Sequence, residues 1–92
     1  INSGGIKLHP EKIEEKFSEI IVNRFFVAGM PDEKLGEKLV LIVEGNKQEI
    51  NYDRIELTKF EVPKEIYFVK DFAATDSGKI QRKKTLKKIF TK

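Results

Sequence analysis

The sequence predicts an α+β domain, with a small mixed sheet of about three main strands and a short N-terminal hairpin stub, packed with about three helices. Three observations carry this. Short apolar runs at 25–28, 39–43 and 65–69 are bounded by Gly, Asn, Asp or Pro, as strands are. Ile13, Phe17, Ile20 and Ile21 recur at helical spacing. Leu86, Ile89 and Phe90 mark one face of a last helix after Arg82, whose other sides are lysine. With 92 residues, 39% apolar and 36% charged, the chain forms one soluble domain with an adequate core.

Taken in order, residues 1–8 form a short extended segment broken by Ser3, Gly4 and Gly5, because paired glycines take positive φ or lie against another surface. Pro10 fits the first helical position, and Glu11, Glu14 and Glu15 suit the positive end of the helix dipole. The first helix therefore spans roughly 10–22. Residues 25–28 form a strand, 29–38 a polar connection, and 39–43 an unbroken apolar strand buried on both faces; the two strands make an antiparallel pair. Asn51 caps a short second helix reaching about residue 59, with Tyr52, Ile55 and Leu57 inward. Pro63 stops anything helical before it, since its ring disfavours the α conformation at Val62. Residues 65–69 are the third main strand. The chain contains no internal repeat.

Composition excludes several classes of function. Without cysteine there are no disulfides and no thiolate metal sites, and the single histidine, His9, supplies neither a metal site nor a triad. No run of about 18 apolar residues and no signal-peptide pattern supports membrane spanning or secretion, so the cytoplasm is the expected compartment. The net charge of +3 is uneven: from Asp76 onward seven Lys or Arg face one acid, giving +6 and leaving −3 for residues 1–75. Such a tail is either a nucleic-acid footprint, through counterion release, or a solvated helix face. No aromatic is interleaved with the lysines, and Leu86, Ile89 and Phe90 are needed for packing, so the solvated face is expected. The chain opens on Ile1 and a turn-like INSGG, and a piece of a longer protein is expected.

Two stretches carry candidate chemistry. Small and polar residues from Ala73 and Ala74 through Thr75, Asp76, Ser77 and Gly78 predict an exposed loop with Lys79 on its end. Lys79 is either a plain solvated charge or a mobile cation that reaches a ligand held by another body, its compact ammonium suiting phosphate and carboxylate oxygens. Thr75, Ser77 and Gly78 shape this loop or form an ordinary solvent turn. Arg82 ties the loop to the domain through backbone carbonyls or faces a partner domain. In the opening NSGGIK, Gly4 and Gly5 let a narrow ligand pass against the backbone and Lys7 could reach a phosphate, or the segment is a structural hairpin.

Four strings in order, NSGGIKLHPEKIE at 2–14, GMPDEKLGE at 29–37, KFEVPKEIYFV at 59–69 and TDSGKIQRKK at 75–84, resemble the C-terminal lid domain of the adenylate-forming ligases. This superfamily includes acyl-CoA synthetases, luciferases and peptide-synthetase adenylation domains. The resemblance implies that Lys79 is the catalytic lysine of adenylation, that Gly4 and Gly5 line the pantetheine tunnel, and that Lys7 approaches the AMP phosphate. It implies a larger N-terminal domain and a hinge residue outside residues 1–92. ATP and CoA would be substrates, with Mg2+ accompanying ATP on the large domain and no cofactor held by this segment alone. The partners would be that large domain and a small-molecule carboxylic acid, with no specific nucleic acid. Attraction of the lysine tail to CoA phosphates or to the large domain would be a secondary use. The string RFFVAGMPDEKLGEKLVLIVEG at 24–45 is most similar to o-succinylbenzoate-CoA ligases of menaquinone synthesis, whereas the tight VNR link between Ile21 and Phe25 departs from many relatives. Loading of a carrier-protein thiol in place of CoA, or a stand-alone nucleic-acid module, are the competing classes.

Overall fold

The computed structural model describes residues 1–72 and 74–90. Its strands are β1 (Asn2–Ser3), β2 (Ile6–Lys7), β3 (Phe25–Asp32), β4 (Gly36–Glu44) and β5 (Glu65–Val69), and its helices are α1 (Pro10–Phe17) and α2 (Arg82–Phe90). A single 3-10 turn at Tyr52–Arg54 lies between β4 and β5. The sheet is built on β4. β3 runs antiparallel along one side of it, from Phe25 opposite Val43 to Asp32 opposite Gly36, while β5 pairs parallel with residues 40–44. β1 meets β4 through Ser3 and Gly36, and β2 pairs with β1. The result is the mixed α+β sheet that the apolar runs predict.

The two-residue period of β4 explains its composition. Leu39, Leu41 and Val43 face α1, where Ile13 and Phe17 meet them; Val40 and Ile42 face the other way, onto Phe26 and Phe72. All five β4 residues are buried. A strand covered on both sides has no solvent face to carry polar residues, hence the unbroken run. Ile66 and Phe68 of β5 join the α1 side, and Tyr67 and Val69 join the α2 side with Ile80, Leu86 and Ile89. The expected inward packing of Phe90 lies outside the described side chains.

Three boundaries differ from the sequence expectation. α1 ends at Phe17, not near residue 22: the Ser18 hydroxyl donates to the Glu15 carbonyl, and the chain tightens as the Ile20 N–H donates to Phe17. That turn still delivers Ile21 to the core and leaves Val22 exposed. The expected polar connection at 29–38 is mostly strand, because β3 continues through Gly29 and Pro31 to Asp32 in register with Gly36–Leu39. β3 has β4 on one side only, so Pro31 breaks no second ladder. The reversal takes only Glu33, Lys34 and Leu35, closed by the Asp32 carboxylate, which accepts the Lys34 and Leu35 N–H groups at 2.9 Å each. The expected second helix is the 3-10 turn alone. Asn51 does cap it, its side chain accepting the Asp53 N–H, but Ile55 is already extended. Ile50, Tyr52, Ile55 and Leu57 all pack against the α1-side core, and that spacing is reached by an opened chain better than by one helical face. Among the described residues there are therefore two helices, not about three.

Candidate functional site

Thr75 builds the Lys79 loop. Its carbonyl accepts the Gly78 N–H at 2.8 Å, its N–H donates to the Lys79 carbonyl at 2.9 Å, and its hydroxyl oxygen accepts the Lys79 N–H at 3.2 Å. The Thr75 and Ser77 hydroxyls are 3.0 Å apart, and Ala74 pairs with Ile80 across the base. Such a short reversal needs one residue in the left-handed region; Gly78, at φ +85°, supplies it. Lys79 is exposed and, among the described residues, makes no ion pair. The product is a pinned hairpin that offers a solvated ammonium. Ala73, at the start of the predicted loop, lies outside the described residues.

Arg82, the first residue of α2, binds a carboxylate and not backbone carbonyls. Its two terminal nitrogens donate to both Glu14 oxygens, at 2.8 and 2.9 Å, and its guanidinium lies 5.6 Å from the Phe26 ring centre. Glu14 also accepts the Val27 N–H at 3.0 Å. Glu14 comes from α1 and Phe26 faces the α2 side, so the pair reaches between the two faces of the sheet. Sequence reasoning assigned Glu14 to the helix dipole. The available signal was its place beside Ile13 and three residues before Phe17, on the border of the apolar stripe.

A matching contact holds the other end of the segment. Glu44 accepts Arg24 through two bonds, 2.9 Å from Nε and 2.5 Å from Nη2, and accepts the Phe72 N–H at 2.8 Å. The Arg24 guanidinium and the Phe72 N–H hold the Glu44 carboxyl below its ordinary range, and Glu44 raises Arg24 in return. Neither residue was singled out from sequence, because charges at strand ends usually belong to solvent.

The glycine pair forms a two-residue hairpin turn between β1 and β2, with φ +59° at Gly4 and +84° at Gly5. The Gly4 N–H donates to the Leu35 carbonyl at 2.8 Å, and Asn2 N–H donates to Glu37, which docks the hairpin at the Gly36 end of β4. Gly5 faces open space and Lys7 is exposed. Phe72, which leads toward the Lys79 hairpin, is held instead at Glu44, the opposite end of β4. The glycine hairpin is thus docked at the Gly36 end of β4, and the segment that leads to Lys79 at the Glu44 end. Among the described residues no cluster of metal-binding side chains is found, and no helix is long and apolar enough to cross a membrane.

No family model matches the chain. It is similar to 2-succinylbenzoate–CoA ligase of Listeria monocytogenes, 33% identical over 91 residues, which cover 91% of this chain and 19% of that protein. It is also similar to a long-chain-fatty-acid–CoA ligase of Mycobacterium tuberculosis, 31% identical over 87% of this chain and 17% of that protein. The fold superposes on an AMP-forming acyl-CoA synthetase/AMP-acid ligase II-like protein of Dyadobacter fermentans with a TM-score of 0.84 and 37% identity, over 97% of this chain and 29% of that one. Fold, motifs and relatives agree on one superfamily. The chain belongs to the adenylate-forming superfamily of acyl-CoA synthetases and AMP-dependent ligases. It spans about a fifth of the length of the curated relatives it matches, 18% and 20% in two staphylococcal fatty acid–CoA ligases.

Proposed function

We propose that residues 1–92 are the mobile C-terminal lid of an ATP-dependent acyl-CoA ligase whose larger N-terminal domain carries the acyl and nucleotide pockets. The reaction is carboxylic acid plus ATP plus CoA to acyl-CoA, AMP and pyrophosphate, in two steps. In the first, a carboxylate is driven onto an α-phosphate that is already negative. A cation between the two stabilises the transition state more than the separated anions, which is what accelerates the step. Lys79 is that cation. It moves no proton. Thr75, Ser77 and Gly78 hold its hairpin, and Arg82 anchors the helix behind it.

In the second step the lid rotates and CoA displaces AMP. Gly4 and Gly5, without side chains, then line the pantetheine path, and Lys7 approaches the AMP phosphate. The separation of the two hairpins on this domain supports such a division: one surface serves each step. ATP enters with Mg2+ on the large domain. For the acid we adopt o-succinylbenzoate, an intermediate of menaquinone synthesis, a choice that rests on the 24–45 string and on likeness to the Listeria enzymes, 33% and 36% identical.

The observation that carries this reading is an exposed lysine on a hairpin pinned by Thr75 and Gly78, inside TDSGKIQR. The test incubates the full-length protein with ATP, Mg2+, CoA and, in turn, o-succinylbenzoate, oxalate and palmitate. AMP, pyrophosphate and acyl-CoA are expected, fastest with o-succinylbenzoate. A preference for palmitate would overturn the acid, and acyl transfer to a carrier protein but not to CoA would overturn the acceptor. ADP as the product would overturn the class.

A further inference from the structure

The segment from Phe72 to Arg82, which contains the Lys79 hairpin, is gripped at both ends by devices of the same design. At each end one carboxylate accepts a backbone N–H and two nitrogens of an arginine, and that arginine lies over a phenylalanine ring. Glu44 takes the Phe72 N–H at 2.8 Å and Arg24, whose guanidinium is 5.9 Å from the Phe72 ring centre. Glu14 takes the Val27 N–H at 3.0 Å and Arg82, whose guanidinium is 5.6 Å from that of Phe26. The two rings touch edge to face, 5.3 Å apart, and both are buried. The clasps thus share one aromatic step on the α2 side of the sheet.

We propose that Glu14 and Glu44 are positioning residues for adenylation, their two arginine clasps fixing where the hairpin presents Lys79. The proposal rests on the assignment of Lys79 as the adenylation lysine. The hairpin's own contacts, which run within 74–80, set its shape but not its place on the domain. Among the described residues the segment is tied to the sheet through Phe72, Ile80 and Arg82, and these ties set its place. Ile80 contributes undirected apolar contact; the forks contribute direction. The Arg82–Glu14 pair is half exposed on its arginine side, with side-chain exposures of 48% and 15%. A pair so exposed adds little to folding. A small displacement of a reacting group, by contrast, costs rate steeply.

The test uses the full-length ligase with the acid it prefers in the panel above, and measures two rates. Adenylation is followed as acid-dependent ATP–pyrophosphate exchange, and thioester formation as CoA transfer from supplied acyl-AMP. Glu14→Gln and Glu44→Gln are each expected to slow adenylation roughly tenfold and to leave CoA transfer within about twofold. Arg82→Lys keeps the Glu14–Val27 bond and the charge but loses the fork, so the same selective loss is expected without disturbing β3. Equal loss in both steps, or adenylation unchanged in all three variants, overturns the proposal. Lys79→Ala in parallel keeps the two readings apart. If it stops adenylation while the clasp variants do not slow it, only the clasp falls; if adenylation survives it, the assignment of Lys79 falls first.

Discussion

Gly78 shows how one residue decides the site. At φ +85° it occupies a region where a Cβ meets its own backbone, although a Cβ there would touch nothing else within 4 Å. Gly78→Ala therefore isolates conformational strain from packing. It is expected to destabilise the domain by about 1–2 kcal/mol in denaturant titration, and to slow adenylation by moving Lys79. Thr75 is the complementary case, since one side chain and its backbone hold both sides of the turn. Lys7 carries the opposite expectation: Lys7→Ala in the full-length enzyme should slow CoA transfer from acyl-AMP and leave pyrophosphate exchange near normal. A loss confined to exchange would remove Lys7 from the thioester step. The positive φ of Gly4, Gly5 and Gly78 and the exposure of Lys79 were legible in sequence, from the paired glycines and from the run of small polar residues before Lys79. Glu14 and Glu44 were not, since a glutamate in a charged chain looks like solvent until its partners, 68 residues and 20 to 28 residues away, are known.

At the scale of elements, β4 and β5 were the most readable, β5 to the residue, because their apolar runs are compact and end in Gly45 and at Pro63–Lys64. Leu41 is fully buried at the centre of β4, so Leu41→Ala is expected to cost about 2–5 kcal/mol, read as a shift in the unfolding midpoint. The β3–β4 turn was misread for a physical reason. Pairing with β4 holds Gly29, Pro31 and Asp32 in strand form despite their turn-forming chemistry, which is tertiary contact overriding local preference. The 3-10 turn was misread in the same way, since Asn51 is a sound cap but the residues after it find the core as an opened chain.

The Glu44 clasp also predicts a pH response. Its carboxyl is depressed in the fold, chiefly by Arg24 and then by the Phe72 N–H, from an ordinary value of 4.5. A depressed acid contributes stability that is complete above the unfolded value and lost as pH falls through the folded one. Glu44→Gln should therefore narrow the stability gap to wild type as pH drops below about 4.5. A gap that stays constant from pH 7 to pH 3 would contradict the clasp's charge.

Across the described residues the molecule is a sheet with a helix on each side and two small hairpins exposed on it. Its charge follows the same division, with a net +6 from Asp76 onward against −3 before it. The chain accounts for about a fifth of its curated relatives, and the proposed reaction needs the remainder. Residues 1–92 by themselves are thus expected to form no acyl-AMP from ATP and acid, and measurable product would contradict the assignment of the pockets to a larger domain. Binding of RNA or DNA by this chain is expected to be weak and unselective, despite the lysines of α2; tight binding with a steep salt slope would favour a nucleic-acid module.

The most direct measurement is the pair of half-reaction rates of the full-length enzyme with Lys79→Ala. Adenylation is predicted to fall by orders of magnitude while CoA transfer from supplied acyl-AMP continues near the wild-type rate. Equal losses in the two steps, or adenylation that survives the substitution, would contradict the claim that this hairpin delivers its ammonium to the meeting point of acid and nucleotide.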